Sequence, residues 1–239
     1  VDPNHPLAGH VVRLVLRRVE REAARSRFVH LFDGPGMQVP PVQAADAYLP
    51  AGALARQDEA DDAGFYARPR FVHHLDAVCR AELAAFYGRF LQPGMRVLDL
   101  MSSWASHLPD TPAALQVHGL GMNAAELAAN ARLAARSVHD LNADPRLPFP
   151  AAAFDLVICT ASVEYLIHPQ TVFAEVRRVL RPGGRFVLSF SDRWFAPKAI
   201  RVWAELHPYE RLGMVLWLLK ETGFGLSLRH ISEPTRLLS

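Results

Sequence analysis

The stretch RVLDLMSSWASHLP, residues 96 to 109, sets the reading of the whole chain. Arg96–Leu100 is an apolar run too short for a buried helix, and it breaks at once into a bend of small polar residues. Hydrophobicity that is continuous, not alternating, marks a parallel strand covered on both faces. Residues 116–120, 137–140, 154–160 and 185–191 repeat the texture, and residues 124–136 and 171–180 between them carry helical spacing. This βαβα order predicts an α/β fold, a doubly wound and mostly parallel sheet with its site at the carboxyl ends of the strands. Arg181-Pro182-Gly183-Gly184 is expected as a turn into the fifth strand, shaped by its glycines. Residues 212–219 predict a further helix, and residues 226–231 a last strand.

Upstream, residues 10–32 have the spacing of an amphipathic helix. Val11, Val12, Leu14, Val15, Leu16 and Val19 fall near one side, opposite an Arg- and Glu-rich face. Asp33-Gly34-Pro35-Gly36 ends it. Residues 37–64 read as an irregular arm with short helices at most, and residues 70–91 as a second long helix stopped by Gln92-Pro93-Gly94. The expected division is therefore an N-terminal helical extension or lid over 1–64 and an α/β domain over 65–239.

Composition narrows the function. Half of the 239 residues are hydrophobic and 21% are charged, so the chain can bury its own core without staples. Lys and Arg total 26 against 24 Asp and Glu, a balance that argues against a polybasic nucleic-acid binder. Cys79 and Cys159 stand far apart in apolar surroundings, which excludes a disulfide framework. His73 and His74 are adjacent, with no further ligands at a helical spacing, so no metal is expected. No run approaches about 18 apolar residues and the start lacks a signal-peptide pattern, so the expected location is cytoplasmic, away from membranes. The opening Val1-Asp2-Pro3 has no Met and reads as a trimmed boundary.

Five segments taken together, VLDLMSSWASHLP (97–109), GLGMNAAELAAN (119–130), HDLNADPRLPF (139–149), FDLVICTASVEYL (154–166) and RVLRPGGRFVLSFS (178–191), carry a resemblance. In order and spacing they resemble the class I S-adenosylmethionine-dependent methyltransferases, and more narrowly a type 11-like branch whose first loop reads DLMSSW…SHLP. The resemblance covers residues 65 to 231. It implies a Rossmann-like fold with S-adenosylmethionine as cofactor.

The resemblance also implies a site. The loop after Asp99 would wrap the methionine portion of the cofactor. Most relatives carry glycines there, whereas this chain has Met101, Ser102, Ser103, Trp104, Ala105 and Ser106. The hydroxyls of Ser102, Ser103 and Ser106 are expected to replace close backbone approach with hydrogen bonds. Where relatives present an acid to the ribose, this chain has Gly121, then Met122 against the adenine face and Asn123, with Asn123 or Glu126 left to supply weaker bonds. Asp140 matches the acceptor for the adenine amine, Leu141 N–H would meet a ring nitrogen, and Asn142 is the next polar candidate. Tyr66 and Arg70 would reach the cofactor carboxylate from a lid, while Tyr66, Phe71 or Trp104 would set a π face near the sulfonium.

Methyl transfer needs alignment and a dry cleft, and a base only if the acceptor must lose a proton. Tyr165, His107 and His74 are the foremost catalytic candidates; Glu164, His168 and Asp192 also fall near strand ends. The expected activity is methyl transfer to a small-molecule acceptor by a monomer or homodimer. Two alternatives stand beside it: a cyclase or lyase that closes the cofactor's own chain to azetidine-2-carboxylate with release of methylthioadenosine, and a non-catalytic nucleoside-binding relative.

Overall fold

A computed structural model describes residues 48–225 except 113 and 192. The predicted helix at 10–32 and strand at 226–231 lie outside the described residues, as does Asp192. Five parallel strands, β1 (Arg96–Leu100), β2 (Gln116–Gly121), β3 (Ala135–Val138), β4 (Phe154–Thr160) and β5 (Leu180–Ser189), form one sheet in the order β3-β2-β1-β4-β5. The chain leaves β1 toward β2 and β3, then returns to the other side of β1 as β4. Connections diverge at that switch point, and a crevice opens beyond the carboxyl ends of β1 and β4.

Alternate residues of each strand feed two different cores, which is why the runs are unbroken. Leu98, Leu100, Leu120, Val157 and Cys159 enter one core, and Val97, Val117, Leu156 and Ile158 enter the other. α1 (Asp62–Tyr66) lies ahead of the sheet, and α2 (Ala77–Gly88) supplies Leu83 and Tyr87 to the second core beside Leu127 of α3 (Ala124–Ala129). The first core is closed by α4 (Pro169–Val179), α5 (Arg201–Glu205) and α6 (Pro208–Glu221). Val172, Phe173, Val176 and Val179 mark the buried stripe of α4, which starts on Pro169, where a missing N–H costs nothing.

Four elements depart from expectation. The helix predicted from residue 70 begins at Ala77, because the Asp76 carboxylate caps it by accepting the Cys79 N–H at 2.8 Å. Residues 67–75 are consequently a strap. α3 stops at Ala129, where Asn130 turns its amide onto the loop after β1. β3 lies two residues earlier than predicted, so Asp140 sits in the turn beyond the strand. The Arg181–Gly184 turn is looped out within β5, whose Leu180 pairs with Phe154 and whose Arg185 pairs with Leu156.

Residues 53–62, which the sequence groups with the extension, are fastened to the segment after β5. Val202 N–H donates to Ala53 O, Arg201 N–H to Ala55 O and Asp58 N–H to Pro197 O. Beneath them the fully buried Lys198 ammonium reaches Asp58 at 3.1 Å and Asp62 at 3.2 Å, and the Arg56 guanidinium holds both Asp62 oxygens. Charges this deep are tolerated because each is paired and hydrogen-bonded.

Candidate active site

At the carboxyl ends of the strands lies a cleft of about 440 Å³. It is lined by Tyr66, Arg70, His74, Asp99, Met101, Ser102, Ser103, His107, Gly121, Met122, Asn123, Asp140, Leu141, Asn142 and Tyr165. Fifteen of the sixteen expected positions thus meet in one place, although they span a hundred residues of chain. Ser106 is the exception, buried behind the loop. Glu164 and His168 also stay out of the lining.

The loop after β1 is built around Asp99. Its carboxylate is 3% exposed, and burial pushes its pKa up to about 6 against the hydrogen bonds of Ser102 and Ser106. Ser102 Oγ donates to Asp99 Oδ2 at 2.6 Å, and Ser103 Oγ donates to Glu126 Oε2 at 2.6 Å. Asn130 Nδ2 donates to both Ser103 O and Ser106 Oγ. The serine hydroxyls expected to face a cofactor are therefore committed to the protein. Met101 stands at φ +56°, the left-handed conformation that favours glycine. The bend keeps a glycine-like path without the glycine.

Beside it, the cleft-facing groups of β2 and β3 divide into engaged and free. Asn123 caps α3 by accepting the Ala125 and Glu126 N–H groups, and its Nδ2 donates to Tyr66 O and Ala67 O. Glu126 accepts the Arg70 N–H at 2.7 Å as well as Ser103 Oγ, so it latches the strap to the loop. Asn142 is likewise spent: Nδ2 donates to Asp62 Oδ2 and Tyr165 O, and Oδ1 accepts the Ile167 N–H. By contrast, Asp140 uses only Oδ1, which accepts the Asn142 and Ala143 N–H groups. Asp140 Oδ2 and the Leu141 N–H have no partner among the described residues, leaving an acceptor next to a donor.

On the strap side, the Arg70 guanidinium sits 4.6 Å from the Phe65 ring, 5.8 Å from Tyr66 and 5.4 Å from Phe195. Its Nη2 donates to Phe65 O, and no carboxylate among the described residues pairs with it. Trp104 Nε1 donates to Val72 O, and the Trp104 ring lies 4.4 Å from His73 and 6.4 Å from Phe71. Burial, with His73 and Arg80 nearby, lowers the pKa of His107 to about 4 and keeps its imidazole neutral. His74 meets Phe195 edge-on at 5.2 Å. Tyr165 Oη accepts the Phe195 N–H at 2.8 Å, and burial drives its pKa far up, so it remains a phenol and braces the loop after β5. Its acceptor side is used, and the residue lines the cleft.

Sequence reasoning passed over Asn130 and Asp62. Only Asn130 left a signal, as an Asn directly after a run of helix formers, where helices commonly end.

Residues 102–188 match the Methyltransf_11 family model, described as a methyltransferase domain. A probable pectin methyltransferase, QUA3 of Arabidopsis thaliana, is 43% identical over 109 residues, covering 37% of this chain and 18% of that protein. The ubiquinone/menaquinone biosynthesis C-methyltransferase UbiE of Cupriavidus metallidurans is 33% identical over 94 residues, covering 38% and 36%. The chain thus spans about a third or less of the length of these curated relatives. A solved S-adenosylmethionine-dependent methyltransferase from Mesorhizobium loti is 22% identical with a TM-score of 0.44, covering 62% of this chain and 82% of that one. No helix among the described residues is long and apolar enough to cross a membrane.

Proposed function

We propose that this chain, a member of the class I S-adenosylmethionine-dependent methyltransferase superfamily, transfers a methyl group to a small-molecule acceptor in a cleft covered by residues 65–75. The observation that carries the proposal is the free pair at the end of β3. Asp140 Oδ2 and the Leu141 N–H offer an acceptor beside a donor, which complements the amine and adjacent ring nitrogen of adenine.

The remaining residues fit the rest of such a cofactor. Met122 would line the adenine face. Arg70, half-buried and without a carboxylate partner among the described residues, would take the amino-acid carboxylate, and Tyr66 or Trp104 would offer a π face to the sulfonium, worth about 0.5–2 kcal/mol. When bound, the cofactor supplies an activated methyl group. The chain's own contribution is to hold donor and acceptor in line and exclude water. The neutral His107 imidazole is placed to accept a proton from an acceptor that must lose one, with His74 at the same mouth and the Tyr165 O–H to orient it.

Two measurements test this. Incubation with S-adenosylmethionine and candidate acceptors, followed by chromatography, is expected to yield S-adenosylhomocysteine only when an acceptor is present. Methylthioadenosine formed without any acceptor would replace transfer with intramolecular cyclisation. Absence of calorimetric binding at millimolar ligand would leave a non-catalytic relative. Separately, Asp140→Asn keeps the Oδ1 turn but replaces the free acceptor by an amide donor, and is expected to weaken S-adenosylhomocysteine binding by roughly 1–3 kcal/mol. Unchanged affinity would remove Asp140 from the site.

A further inference from the structure

The acid that resembling enzymes present to the ribose is absent at position 121, and the two nearby substitutes are engaged elsewhere. Asn123 caps α3 and holds the strap, and Glu126 bridges Arg70 N–H and Ser103 Oγ. One polar atom does lie where that acid would leave the backbone. A Cβ built on Gly121 would fall closer than 3.0 Å to Ser102 O, so the carbonyl oxygen occupies the space of the missing side chain. Ser102 and Gly121 both line the cleft, and both are buried.

The oxygen is held there firmly. Ser102 N–H donates to Leu120 O at 2.7 Å and Ser102 Oγ to Asp99, which fixes the residue from both ends. No described group donates to Ser102 O, and a carbonyl of a buried residue without a donor is uncommon. We infer that Ser102 C=O is the ribose acceptor of this site, a neutral main-chain oxygen in place of a carboxylate. Two consequences follow. The ribose hydroxyls are bound by an uncharged partner, so sugar discrimination is weak. The backbone also supplies this acceptor, so no side-chain substitution at 102 deletes it.

The inference rests on the functional proposal above, and calorimetry on the native chain separates the two. S-Adenosylhomocysteine is titrated first, then its 2′-deoxy and 3′-deoxy forms. With a neutral acceptor, losing the bonded hydroxyl is expected to weaken binding by about 3- to 10-fold. A loss on the order of 100-fold or more would mean a charged acceptor and would overturn the assignment, as would equal binding of all three compounds. Glu126→Gln provides the second readout. It loosens the strap and lowers all three affinities, but the ratio between parent and deoxy forms is expected to stay the same; a collapsed ratio would transfer the role to Glu126. If the parent compound itself fails to bind, the functional proposal fails, and this assignment with it.

Discussion

Gly121→Asp, which installs the acid found at this point in resembling enzymes, is expected to destabilise the fold and with it to abolish the nucleoside binding proposed above. The new Cβ would lie within 3.0 Å of Ser102 O, 3.1 Å from Ser102 C and 3.3 Å from Leu127 Cδ2. Backbone, not a flexible side-chain tip, is the obstacle. Ser102 cannot retreat without breaking its N–H bond to Leu120 O and its hydroxyl bond to the buried Asp99, and Ser103 O is held by Asn130. Overpacking alone costs about 1–3 kcal/mol, and the lost hydrogen bonds add to it, so a loss of about 3 kcal/mol or more is expected in urea denaturation. Gly121→Ala separates steric from electrostatic causes. It adds no charge and should show most of the same loss. An alanine variant with native stability and native affinity for S-adenosylhomocysteine would show that the loop does not press on β2 in this way.

The same contact explains how a loop without glycine keeps its path. Close approach between the first loop and the end of β2 needs one residue without a side chain. Here Gly121 is that residue, and the left-handed turn falls on Met101. A left-handed non-glycine residue costs roughly 1–2 kcal/mol, which the anchoring of Ser102 and Ser103 offsets.

What is legible in the sequence follows from which physical constraint dominates locally. At 154–160 burial on both faces forces an unbroken apolar run, and the expected strand and β4 coincide. Ala135–Val138 is a largely exposed edge strand with only weak apolar patterning, so its register is set by pairing with β2 and could not be read locally. Residues 70–76 carry enough apolar spacing to look helical, but a single capping carboxylate at Asp76 starts the helix at Ala77 and leaves them as the strap. The positions lining the cleft are legible because strand ends converge at a switch point. The directions of the hydroxyls are not. Whether Ser102 and Ser106 face a ligand or the interior depends on Asp99 being buried with no cation beside it among the described residues, which is a tertiary fact.

Folding stability should fall as pH rises from about 4.5 to about 8, and Glu164 should be the main cause. This residue follows β4 in the turn Val163–Tyr165, is fully buried, and has no hydrogen-bond partner for either carboxyl oxygen among the described residues. Burial pushes its pKa up from 4.5 to about 8, even with the positive charge of Arg211 within reach; its own charge would in turn raise Tyr66, Tyr165 and Cys159. A carboxyl whose pKa is higher in the folded state keeps its proton there while the unfolded chain releases it. Between the two pKa values the folded state therefore binds more protons, and each pH unit costs up to about 1.4 kcal/mol. Above pH 8 the loss from Glu164 levels off at on the order of 4 kcal/mol. Asp99, moved from 3.8 to about 6, adds a smaller decline over the lower part of the same range. Glu164→Gln removes the titration but keeps the shape. Urea denaturation of both proteins from pH 4.5 to 8.5 should give curves that diverge with rising pH, the variant gaining relative to the native chain, and the difference cancels every other titrating group. Parallel curves would mean that Glu164 ionises freely in the folded protein and that the turn after β4 is open to water.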